Sequence, residues 1–210
     1  MNPLNVLLTA SVSFGLGAIP FSWIIGRMLQ GIDIRATGSG NVGATNLARV
    51  TGYGPAVAAL LLDAGKGVAA VLFARWTAGG TGQEASVLPA LGGALAVLGH
   101  NFTPFLRFKG GKGVATGAGV FGVLAPWALV SSLAIFLSIV LISRLVSLGS
   151  VAAAAALPVA VLLIYDSTPV TVVALGIAAL VVYRHRSNLV RIRRGTEDRI
   201  TEPSSRAGRA

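Results

Sequence analysis

Ten residues concentrate the features that chemistry could use: Phe108-Lys109-Gly110-Gly111-Lys112-Gly113-Val114-Ala115-Thr116-Gly117. Glycine lets a ligand approach the backbone closely because no Cβ intervenes. Successive amide N–H groups that run into a helix N-terminus make an anion site, and lysine adds a compact positive charge. The stretch is not a Walker A loop, because that pattern needs glycine where Leu106 stands. Taken alone, it is either an anion-binding loop or a flexible basic turn at a membrane surface.

Three other segments carry similar chemistry. Thr37 to Arg49 is rich in glycine, asparagine and hydroxyls and has no apolar period, which reads as a polar loop. His100 and Asn101 lead directly into the glycine–lysine stretch, and Arg184-His185-Arg186 opens a basic tail containing Asn188. Together these segments offer Ser39, Asn41, Thr45, Asn46, Arg49, His100, Asn101, Lys109, Lys112, Thr116, His185 and Asn188, plus the amides of Gly110, Gly111 and Gly113. Donors and cations with almost no carboxylate suit a phosphate. His185 and Asn188 share a helix face if the last helix continues through them. Asp63 and Lys66 sit three apart inside an apolar run, where they form either an ion pair that orients one helix or a direct substrate contact.

The missing residues narrow the reaction class. There is no carboxylate pair, no Gly-x-Ser-x-Gly elbow and no His-x4-Asp motif, and two histidines without a cysteine make no metal cluster. Such an enzyme relies on positioning and charge stabilisation more than on a protein base. Neither a metal nor a cofactor is expected.

The elements that must position these groups are membrane helices. The 210 residues are 54% hydrophobic and only 11% charged, with a mean hydropathy of +0.77, too apolar for a soluble domain. The net charge of +10 would suggest nucleic acid, but the basic residues lie between apolar runs and in the tail. Positive-inside topology beside anionic lipid accounts for them, so no nucleic-acid partner is expected. The first apolar run has no basic n-region and is long enough to span, so it is not read as a cleavable signal.

Spans are expected over 1–26, 54–74, 85–106, 145–165 and 167–183, with a polar loop at 27–49 and a short turn from Arg75 to Glu84. No charge occurs from 113 to 143, too long for one helix across a ~30 Å core, and Ala125-Pro126-Trp127 marks a break. Two spans there return the arginine-rich tail to the side of the other basic loops. The expected fold is an all-α integral membrane protein of seven transmembrane helices, several short, with the N-terminus outside and the C-terminus cytoplasmic. Residues 1–199 form one polytopic domain and 200–210 a polar tail. Every basic residue except Lys66 and Arg75 then lies on the cytoplasmic side.

The blocks Gly38–Arg49, Gly99–Phe102 with Lys109–Thr116, and Arg184–Arg191 with Gly195-Thr196-Glu197 resemble, in family order, the motifs of the acyl-phosphate:glycerol-3-phosphate acyltransferases of bacteria, the PlsY type. Asp63–Gly67 also fits, and the resemblance extends to about residue 199. It implies a seven-helix enzyme of the bacterial inner membrane with its active site facing the cytoplasm. Its substrates would be glycerol 3-phosphate and acyl phosphate, and its products 1-acyl-glycerol 3-phosphate (lysophosphatidic acid) and phosphate. Membrane lipid is its surroundings, and a monomer is expected. By position, the resemblance implies that Ser39 and Arg49 are needed for activity. The Gly110–Gly113 loop would bind the phosphate of glycerol 3-phosphate, and His185 and Asn188 belong to the active site. Glu197 is expected to hold the tail. On this basis Ser39, Arg49, Lys112, His185 and Asn188 are the catalytic candidates. Asn41, Thr45, Asn46, Lys66, His100, Asn101, Lys109, Gly110, Gly111, Gly113 and Thr116 are the substrate-binding ones.

Two other classes fit less well. A transporter of phosphorylated anions predicts polar residues along a midplane path, yet 113–183 is almost purely apolar apart from serine and threonine. A membrane scaffold leaves the Gly/Lys/Asn blocks unexplained.

Overall fold

The computed structural model describes residues 2–79 and 84–200. Among the described residues every regular element is helical: α1 (Pro3–Ala18), α2 (Phe21–Gln30), α3 (Ala44–Thr51), α4 (Tyr53–Ala78), α5 (Glu84–Asn101), α6 (Val114–Leu124), α7 (Pro126–Ser143), α8 (Val146–Ile164), α9 (Thr168–Arg184) and α10 (Arg186–Arg193). A 3-10 turn at Pro104–Leu106 follows α5.

Local chemistry sets most of these boundaries. Asn2 caps α1 through its Oδ1, which accepts the Leu4 N–H at 3.0 Å, and Pro3 occupies the first turn where its missing N–H costs nothing. The first apolar run was expected as one helix, but it breaks at Ile19-Pro20 into α1 and α2, because Pro20 cannot donate to the preceding turn. The expected break at Ala125-Pro126 is present: α6 ends at Leu124 and Pro126 begins α7. The polar loop expected over 27–49 is shorter. Its start belongs to α2, and Leu47 turns inward on α3, fully buried with Ile34, Val42, Ala56 and Leu106. The third apolar run ends at Asn101 rather than 106, since Pro104 forces the 3-10 turn. Residues 80–83 of the expected turn, and 201–210 of the tail, lie outside the described residues.

The helix α4 is the central post, packed against α1, α5 and α6, while α7, α8 and α9 form a second row. Small residues allow the tightest crossing. A Cβ at Gly67 would overlap the Thr116 carbonyl, and one at Gly119 the Ala64 carbonyl, so α4 and α6 meet backbone to backbone. Phe121, Val71, Val97, Val120 and Ile177 fill the space between the rows.

Four apolar stretches are long enough to cross a membrane: Pro3–Gln30, Tyr53–Ala78, Pro126–Ser143 and Val146–Ile164. The helices α9 and α10 make a fifth if counted together, though they bend by 53° at His185. By length and composition alone four or five of the described stretches qualify as spans, and α6 is only 11 residues long. The surfaces of α7 and α8 carry exposed Leu137, Leu141, Ile142, Leu162 and Leu163, as a lipid-facing helix requires.

Candidate active site

The polar segments meet at one end of the bundle. Lys112 lies between the glycine turn and α6. Its Nζ donates to Asn188 Oδ1 at 2.6 Å, and Asn188 Nδ2 donates to Glu197 Oε1 at 2.6 Å. Glu197 also accepts from Ser147 Oγ at 2.8 Å and from Arg191 Nε at 2.7 Å. Its carboxylate thus joins α8, α10 and the following segment, the bracing role expected for it. These donors hold its pKa below the usual carboxylate range against the opposing effect of burial.

Burial pulls the Lys112 ammonium down to about 8, with Glu197 opposing and Arg191, Arg49 and Arg184 adding repulsion. The same repulsion puts all three arginines within electrostatic range of Lys112. Positive charge thus accumulates at a place partly removed from water, which is what a phosphate dianion rewards.

His185 sits at the α9–α10 bend, 3% exposed, with Nδ1 2.8 Å from the Val181 carbonyl. Burial first, then the Lys112 charge, lowers its pKa to about 4, so the ring is neutral. A neutral ring that donates from Nδ1 keeps its lone pair on Nε2. The expected common face for His185 and Asn188 is replaced by the bend, yet both are buried beside Lys112.

The glycine turn is used differently from the expectation of free amides. Gly110 N–H donates to the Asn101 carbonyl and Gly111 N–H to the His100 carbonyl, each at 3.1 Å. Their own carbonyls accept from Arg184: Gly110 O at 2.7 Å and Gly111 O at 2.8 and 3.0 Å. Both glycines are consumed in fastening the turn between the end of α5 and the end of α9. A Cβ at Gly111 would overlap His100 Nε2 and come within 2.7 Å of the Val42 carbonyl, so only glycine fits there. Gly113, at φ +82°, then turns the chain into α6. Among the described bonds the amides of Lys112 and Gly113 take no protein acceptor.

Beside the turn opens a cleft of about 630 Å³, lined by Asn41, Phe108, Lys109, Gly110, Arg184 and the Asp33–Arg35 pair. Ser39 lies on the neighbouring loop, and its amide donates to Asn46 Oδ1 at 2.7 Å. Asn46 Nδ2 donates to the carbonyls of Ile34 (2.8 Å) and Thr37 (3.2 Å). Asn46 therefore shapes the loop that presents Ser39. Thr45 is exposed on the same short helix.

Four candidates lie inside the bundle. Lys66 Nζ pairs with Asp63 Oδ1 at 2.8 Å, donates to the Ile19 carbonyl at 2.8 Å where α1 breaks, and lies over the Phe21 ring. Of the two readings for Lys66, the geometry gives an ion pair that binds α4 to the α1–α2 junction. His100 Nδ1 is 3.6 Å from Asp63 Oδ1, so the ring forms the floor beneath Gly111. Asn101 Nδ2 donates to the Val97 carbonyl at 2.8 Å, and Thr116 is fully buried on α6.

Arg184 and Arg35 were absent from the sequence-derived candidates. An arginine at the end of an apolar helix reads as an interfacial charge, and nothing in the local sequence marks Arg184 as the clamp on two glycine carbonyls. Arg35 is held by Asp33, its Nη2 2.6 Å from Oδ2, and the i, i+2 spacing within a loop gives no periodic signal.

The lowered Lys112 pKa sets a pH dependence. Below about pH 8 the ammonium is charged, and above it Lys112 is neutral and only the arginines remain as cations. In the free enzyme, kcat/KM should fall about tenfold per pH unit above that value. A profile from pH 6.5 to 10 checks this, and Lys112→Arg should flatten the alkaline limb at lower overall activity. A wild-type profile that is level through pH 9.5 contradicts the assignment.

Comparisons with known proteins bear on this arrangement. The chain matches the family model described as Glycerol-3-phosphate acyltransferase over residues 7–195. It is 42% identical over 200 residues to a glycerol-3-phosphate acyltransferase of Synechococcus elongatus, covering 94% of this chain and 95% of that protein. The corresponding enzyme of Geobacter sulfurreducens is 44% identical over 196 residues, with 93% and 98% covered. The crystal structure of PlsY, an integral membrane glycerol 3-phosphate acyltransferase, in its glycerol 3-phosphate form superimposes with a TM-score of 0.85 at 35% identity, covering 92% of this chain and 94% of that one. Its lysophosphatidic acid form gives 0.81 at 33% identity.

Proposed function

Because this chain belongs to the glycerol-3-phosphate acyltransferase family, we propose that it transfers a fatty acyl group from acyl phosphate to the 1-hydroxyl of glycerol 3-phosphate. The observation that carries this reading is the Lys112 ammonium, fixed by Asn188 within electrostatic range of Arg49 and Arg184 at one end of an apolar helix bundle. That position suits two phosphate-bearing substrates, one of which keeps its acyl chain among lipid-facing helices.

Acyl phosphate is a mixed anhydride with a good leaving group. The hydroxyl oxygen attacks the acyl carbon, the bond from that carbon to the phosphate oxygen breaks, and phosphate departs. The hydroxyl proton passes to an oxygen of that departing phosphate, so no protein base is required. The protein holds two anions together against their repulsion, and such alignment supplies several kcal/mol. Arg49, Lys112 and the amides of Lys112 and Gly113 neutralise the phosphates. Ser39 orients a substrate oxygen from its braced loop, and neutral His185 and Asn188 hold Lys112 and the hydroxyl in register. Asn41, Lys109 and Gly110 line the entrance, with Thr45 beside it. Lys66, His100, Asn101, Asn46, Gly111 and Thr116 hold the loops from beneath. No cofactor takes part in these steps.

The excess of basic residues in the loops beside this site supports a reading in which it faces the cytoplasm from the bacterial inner membrane. Seven crossings, with the N-terminus outside and the C-terminus inside, let the short α6 and the 18-residue α5 cross as well. We take a single copy of the chain as the active unit.

The donor is tested by phosphate release from palmitoyl phosphate by purified protein, with palmitoyl-CoA as the rival donor. Release that requires glycerol 3-phosphate, with palmitoyl-CoA inert, is the expected result. Transfer from palmitoyl-CoA overturns the donor assignment.

A further inference from the structure

The segment after α10 crosses the site as a strap. Thr196 N–H returns to the Arg191 carbonyl at 2.9 Å, and the Glu197 carboxylate is anchored to Ser147, Asn188 and Arg191. At the far end Ile200 N–H donates to the Arg144 carbonyl at 2.9 Å, and the Tyr53 hydroxyl lies 3.5 Å from the Ile200 carbonyl. Between these anchors Asp198 Oδ2 lies 3.3 Å from Arg49 Nη1, with the two side chains only 13% and 17% exposed. Arg49 comes from α3, across the site from α10.

We propose that Asp198 is the internal counter-ion of Arg49, exchanged for a substrate phosphate oxygen, and that it thereby sets the anion selectivity of the site. A partly buried guanidinium left unpaired is costly, so an empty site needs an anion of its own. The strap supplies one at high effective concentration, because it is fastened on both sides of Asp198. A free monoanion offers Arg49 no more charge than the tethered carboxylate and loses that competition. A phosphate dianion brings a second charge and a bidentate edge that the guanidinium fork matches, and it prevails. The strap anchors stay in place during the exchange, since Glu197 and Ile200 bind other groups.

This inference rests on the transferase reading, which wild-type turnover tests by itself; the ratio of variant to wild type tests Asp198. The experiment uses the purified full chain with palmitoyl phosphate and glycerol 3-phosphate, each varied in its own arm. Asp198→Asn should lower KM by roughly two- to fivefold, the range of an ion pair open to solvent, for whichever substrate places its phosphate on Arg49. Sodium acetate should inhibit the variant more strongly than the wild type. Asp198→Ser, which leaves the Glu197 anchors intact, should move both quantities in the same direction and guards against a folding defect of the first variant. A KM that is unchanged or raised in both arms, with acetate inhibition unaltered, overturns the proposal.

Discussion

Lys112→Ala lowers kcat/KM for acyl transfer by roughly 10²–10³-fold while the protein stays folded, as removal of one preorganised charge at a developing anion does elsewhere. The size of the effect follows from where the ammonium sits. It is half-buried, held at 2.6 Å by Asn188, and surrounded by arginines already committed to other partners: Arg184 to the glycine carbonyls, Arg191 to Glu197 and Arg49 to Asp198. None of these can move into the vacated space without abandoning its own anion or carbonyl. Stability should change little, because relief of a charge whose burial depresses its pKa is offset by loss of the hydrogen bond to buried Asn188. Steady-state kinetics beside a thermal melt separate the two. A loss smaller than tenfold, with the melt unchanged, would mean that Lys112 does not meet a phosphate.

Gly111→Ala should cost both activity and stability. Its Cβ would overlap His100 Nε2, and His100 cannot retreat, because its ring lies between the turn and Asp63. Overpacking of this kind costs about 1–3 kcal/mol. The displaced turn would also break the bonds from Arg184 and carry Lys112 away from Asn188. A melting temperature lowered by several degrees, with turnover down by at least two orders of magnitude, is the expected outcome. Wild-type turnover in this variant would show that the turn tolerates displacement.

Much of the site is legible in the sequence because its groups are local. The glycines, Lys109 and Lys112 are neighbours in the chain, and their spacing alone proposes an anion site. The break at Ala125-Pro126 is likewise written in one proline. Less legible is anything that depends on a partner from another helix. Gly110 and Gly111 look like free amide donors until α5 and Arg184 take up their backbone groups, 73 and 74 residues away for the arginine contacts. Lys66 looks like a possible substrate ligand until the kink at Ile19 offers it a carbonyl. Leu47, in a stretch with no apolar period, is pulled into a helix by Ile34, Val42 and Leu106, which come from three places in the chain. Asp198 reads as one more charge in a basic tail, and only the return of the chain across the site sets it against Arg49.

An acyl phosphate offers the hydroxyl of glycerol 3-phosphate two electrophilic centres, its carbonyl carbon and its phosphorus. Attack at carbon yields 1-acyl-glycerol 3-phosphate and inorganic phosphate. Attack at phosphorus yields glycerol 1,3-bisphosphate and free fatty acid. On the proposed reading the charges grip both phosphates, which leaves the uncharged acyl carbon as the centre the hydroxyl can approach. The most direct test is mass-spectrometric product analysis after incubating purified protein with palmitoyl phosphate and glycerol 3-phosphate. Equal amounts of 1-palmitoyl-glycerol 3-phosphate and inorganic phosphate are predicted, whereas free palmitate with glycerol 1,3-bisphosphate, or palmitate and phosphate alone, would contradict acyl transfer at this site.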